Sequence, residues 1–140
     1  MTSEKLVDAA PLEGVSVHYI VESDKSFHEA SFDLEPVVQR HGLAVLHVHD
    51  LGETLPGKNI DCDDECRVFE VCSFRMMARL LTSDMRLSMN LPWRISVFTD
   101  NGATKIGLIR PTSVVTACGQ AAKLFAEIEA TLIRIIDDTR

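Results

Sequence analysis

Apolar and polar residues alternate with a period of two over Val15–Val21: Val15, Val17, Tyr19 and Val21 fall on one side, and Ser16, His18 and Ile20 on the other. That is the pattern of a half-buried strand. The period then changes, and Phe27, Ala30, Leu34, Val37, Val38 and His41 recur at helical spacing. Ser26 and Glu29 have the spacing of a reciprocal N-terminal cap, and Gly42 supplies a C-terminal stop. Pro36 removes one amide donor inside this helix and predicts a kink near Phe32–Asp33. Leu43–His49 returns to period two, with Ala44, Leu46 and Val48 on one side and Val45, His47 and His49 on the other.

Asp50–Glu65 reads as a polar loop with Gly52, Pro56, Gly57 and the acidic residues Asp61, Asp63, Asp64 and Glu65. Arg67–Cys72 is a third strand, with Phe69 and Val71 opposite Val68, Glu70 and Cys72. A short helix over Phe74–Leu81 and a turn or loop over Ser83–Asn90 follow. Trp93–Thr99 and Thr104–Ile109 pair as a hairpin around Asp100-Asn101-Gly102, because Asn-Gly supplies the positive φ angles a tight turn needs. Pro111 stops the last strand. Ala121, Leu124, Phe125, Ile128, Leu132, Ile135 and Ile136 then form an apolar helical stripe that covers one sheet face. The order strand, helix, four strands, helix defines an α+β two-layer sandwich with a mostly antiparallel sheet. It predicts one domain over residues 15–140 after a flexible arm, 1–14, and leaves the second sheet face free of helices.

Composition narrows the partners. The 140 residues are 46% hydrophobic and 25% charged, ordinary values for a globular domain. No apolar run reaches the ~18 residues of a membrane span, and the N-terminus lacks the basic start and apolar core of a signal peptide. A cytoplasmic location is expected. Fourteen basic against twenty-one acidic residues give a net charge of −7. That field opposes phosphate backbones, so no nucleic-acid partner is expected. The cysteines Cys62, Cys66, Cys72 and Cys118 read as thiols in a reducing compartment. Cys62 and Cys66 lack the second pair of a zinc signature.

The candidate chemistry gathers on the helix-free face. His47 and His49 alternate onto one side, about 7 Å apart by strand rise. Strand phase puts His18, Glu70 and Cys72 there as well, so His18, His47, His49, Glu70 and Cys72 form the candidate ligand-binding set. His47, His49 and Cys72 are the candidate ligands for a transition metal. Histidines on an open sheet face are also ordinary half-solvated residues, or general acids and bases. Cys72 precedes a helix, whose dipole favours a thiolate. The alternative use of a buried cysteine is as a small hydrophobe. No nucleotide-binding glycine loop, nucleophile elbow, HExxH or paired CxxC occurs in the sequence.

Several separated segments resemble the domain-of-unknown-function 302 family. They are Gly42-Leu43-Ala44-Val45-Leu46, the strand end Glu70-Val71-Cys72-Ser73-Phe74, and Leu91-Pro92-Trp93-Arg94-Ile95-Ser96-Val97-Phe98, in that order. The resemblance covers residues 15–138. It implies a β-α-β(4)-α fold of the TATA-box-binding-protein-like kind and a homodimer, and no assigned activity. This chain has Ser73-Phe74 where the family has Asn-Pro, and Trp93 where it has a cysteine. A two-cysteine mechanism does not carry over. The expectation is a homodimeric module for a small ligand, a metal or a partner, not an enzyme. The alternative is a thiol, sulfur-handling or redox protein centred on Cys72.

Overall fold

Ser26 starts the first helix, α1 (Phe27–Arg40), with both halves of its cap in place: Glu29 N–H donates to Ser26 Oγ at 3.1 Å, and Ser26 N–H to Glu29 Oε1 at 3.2 Å. Gly42, at φ +82°, ends it. The Gly42 and Leu43 amides turn back to the Gln39 and Val38 carbonyls, closing the last turn. The helix continues through Pro36, which lies on its exposed side. Water can satisfy the carbonyl that the proline leaves without a donor. The structure is a computed structural model describing residues 16–115 and 119–140, so the expected arm and Cys118 lie outside the described residues.

Strands β1 (His18–Ser23), β2 (Ala44–Asp50), β3 (Cys66–Cys72), β4 (Trp93–Asp100) and β5 (Ala103–Ile109) form one open sheet in the order β1-β5-β4-β3-β2. Every neighbouring pair is antiparallel. Asn101 and Gly102, at φ 52° and 83°, make the two-residue turn between β4 and β5 that their sequence predicts. The C-terminal helix runs over Gly119–Thr139. All seven residues of its expected stripe are buried. They pack with α1 on one sheet face, against Val21, Phe69, Val71, Ile95, Val97 and Ile106. This is the α+β sandwich expected from the sequence.

Four local expectations are corrected. The polar loop contains a second helix, α2 (Leu51–Gly57). Asp50 caps it by accepting the Glu53 amide at 3.0 Å, a signal masked by Gly52, Pro56 and Gly57. In β2 the register shifts between Val45 and His47, where Leu46 is an extra residue opposite β3. The bulge separates Val45 from the histidines: Val45 packs on the core while His47 stays on the open face, so the two do not share the side that alternation gave them. Helix α3 (Phe74–Ser83) runs two residues beyond its expected end, and Met85–Asn90 is a 3₁₀ segment rather than a loop. The last helix, Gly119–Thr139, is α4 below.

Candidate functional site

The register lays side chains in rows across the helix-free face. One row reads His49, Val68, Ser96, Gly107, Ile20 from β2 to β1. The next reads Cys66, Phe98, Lys105, Glu22. Gly107 and Ser96 stand side by side in the middle, so the sheet centre carries almost no side-chain bulk while Phe98, Lys105 and Ile109 rise around it. The result is a groove of about 800 Å³. Its walls are mostly apolar, with Ile20, Met89, Phe98, Leu108, Ile109 and Val114 among them. Gly107 is required by close approach: a Cβ there would meet Ile20 Cγ1 at 2.9 Å and the Tyr19 carbonyl oxygen at 3.1 Å.

Charge in the groove is partly cancelled. Lys105 Nζ lies 3.2 Å from Asp100 Oδ2, so this pair is internally neutralised. Arg94 is directly opposite Glu70 across β3 and β4. Glu70, however, turns the other way, with Oε2 3.0 Å from His49 Nε2. Arg94 joins no ion pair among the described residues. It is exposed and lines the groove, beside the buried Trp93, whose indole N–H has no acceptor among the described residues.

The groove end is held by a clamp that the sequence did not single out. Glu129, buried on α4, accepts from Arg110 Nη2 at 3.0 Å, from the Thr112 amide at 3.0 Å and from the Thr112 hydroxyl at 2.6 Å. Burial alone would raise this carboxyl, but the Thr112 and Arg110 bonds outweigh it and hold it below the usual range. Arg110 also donates from Nη1 to the Ser16 carbonyl, tying in the entry to β1. A glutamate outside the apolar stripe of α4 gave no signal, because its partners lie on a distant turn.

The five expected ligand-binding residues divide. His47, His49 and Glu70 come together at the β2–β3 edge, the two imidazole centroids 4.5 Å apart and edge to face. His18 lines the groove from β1, four strand spacings or about 19 Å from β2. Cys72 is fully buried opposite Ala44, four residues along β3 from Val68, the partner of His49. That is about 14 Å along the strand from the row of His49 and about 7 Å from the row of His47, whose partner Glu70 is two residues away. Among the described residues no group of three or more His, Cys, Asp and Glu side chains is placed to hold a metal ion. Burial pushes the Cys72 thiol up, opposite to the lowering expected from the following helix. Cys66 is half-buried, and burial raises its thiol too, despite Ser96 Oγ at 3.9 Å.

An open antiparallel sheet backed by two helices, with a groove on its bare face, defines the class of object: an α+β sandwich. The family described as "Domain of unknown function DUF302" matches residues 19–139, and the chain belongs to it. A solved structure, the crystal structure of uncharacterized conserved protein DUF302 from Bacillus stearothermophilus, is similar with a TM-score of 0.85 and 29% identity. The match covers 90% of this chain and 100% of that one. No curated protein matches the chain. No helix among the described residues is long and apolar enough to cross a membrane.

Proposed function

We propose that this protein is a homodimeric binding module whose helix-free sheet face takes a small ligand in the groove over Ser96 and Gly107. The observation that carries this reading is the groove itself: its volume of about 800 Å³ and its apolar walls with a few polar groups match small-molecule sites in general. The exposed Ile20, Met89, Ile109 and Val114 on its walls and rim support both parts of the reading, ligand and second copy. The free thiols Cys62, Cys66 and Cys72 are in keeping with a reducing cytoplasm. A redox role centred on Cys72 is disfavoured by the burial of that thiol, and the histidine edge lies outside the groove.

The chain has one tryptophan, Trp93, and it lines the groove. Titration with anilinonaphthalene sulfonate, an apolar fluorescent probe, should change Trp93 emission saturably while circular dichroism stays native. Phe98→Asp should abolish the change without unfolding the protein. Equal probe binding by that variant would place the site elsewhere.

A further inference from the structure

We infer that the ligand of this groove is a small monoanion with an apolar body, a carboxylic acid of the fatty- or aryl-acid kind, held by the Arg94 guanidinium. This rests on the groove being a ligand site and adds the chemical class. Charge complementarity inside an acidic protein points to an anion. With a net charge of −7, the mean field discourages anions, yet the groove presents a cation that no acidic side chain among the described residues neutralises. Glu70 is directly opposite Arg94 but is drawn to His49 on the other side. Asp100, the acidic side chain among the groove-lining residues, is engaged by Lys105.

What remains is one guanidinium fork at the edge of an apolar trough. A guanidinium binds a carboxylate through two parallel N–H···O bonds. A single uncompensated fork suits one negative charge rather than the two of a phosphate monoester near neutral pH. The apolar side chains Ile20, Phe98 and Ile109 then take the ligand's hydrocarbon body, which gains roughly 0.8 kcal/mol per buried methylene. His18, also a groove residue, offers a hydrogen-bonding group beside Ile109, its partner in the β1–β5 register.

The test compares three ligands of one shape, octanoate, octanol and octylammonium, by calorimetry on the wild-type protein and on Arg94→Gln. Octanoate should bind at least about tenfold more tightly than octanol, and octylammonium least tightly, given the strength of charge-assisted hydrogen bonds. Arg94→Gln should bring octanoate to the level of octanol and leave octanol unchanged. Arg79→Gln, an equal loss of charge at an exposed position of α3 outside the groove, should leave all three affinities as they are. If octanol binds as well as octanoate, or Arg94→Gln leaves octanoate binding intact, the carboxylate assignment is overturned while the groove still stands as a binding site. If none of the three binds, the groove reading falls and this inference with it.

Discussion

Glu129 shows how one carboxylate can hold a region together. It is 8% exposed, receives bonds from Arg110 and Thr112, and joins α4 to the turn that closes the groove. Removing it strands a guanidinium, so Glu129→Ala should cost about 3 kcal/mol, or roughly 10 °C in melting temperature for a chain of this size. The folded carboxyl sits below its ordinary value. Its contribution is therefore present above the unfolded-state value near pH 4.3 and is lost as the pH falls through the lower folded value. Melting curves should show wild type losing its advantage over Glu129→Ala only in that acidic window. A constant difference down to about pH 2 would contradict the clamp. Cys72 makes a second prediction at this scale. A fully buried thiol pushed upward should resist alkylation in the native protein at neutral pH while Cys62 and Cys66 react. Mass spectrometry of the labelled peptides decides, and early labelling of Cys72 would reopen its chemistry.

The elements were legible where local chemistry suffices. The Ser26–Glu29 cap, the Gly42 stop, the Asn101-Gly102 turn and the stripe of α4 are each written within one short stretch of chain. Gly42→Ala should cost about 1 kcal/mol because a side chain at φ +82° is strained; an unchanged denaturation midpoint would contradict that reading of the helix end. Two features were not legible. Helix α2 hides behind Gly52, Pro56 and Gly57, which argue for loop although Asp50 caps it. The Leu46 bulge inverts the face of Val45 relative to His47, and only pairing with β3 reveals an extra residue. The candidate site suffered for the same reason. Alternation puts His18, His47, His49 and Glu70 on the bare face, but strand order decides which of them meet, and β1 and β2 are opposite edges. The groove was invisible because it depends on Ser96 and Gly107 lying side by side, a matter of register.

At the scale of the whole molecule, the two long helices, α1 and α4, pack on one face of a sheet whose other face bears exposed apolar side chains. Isolated exposed hydrophobics are ordinary, but a group such as Ile20, Met89, Ile109 and Val114 around one groove is the surface on which the proposed second copy would sit. Light scattering at micromolar concentration should give twice the 15.5 kDa chain mass; a value near one chain would sink the homodimer. Binding is proposed to occur on the helix-free face, over Ser96 and Gly107. Its most direct test is an amide NMR titration of the protein with anilinonaphthalene sulfonate. Saturable shifts centred on Ile20, Ser96, Phe98 and Gly107 are expected. Shifts confined to the His47–His49 edge, or to Phe32 and Val48 on the α1 side, would contradict it.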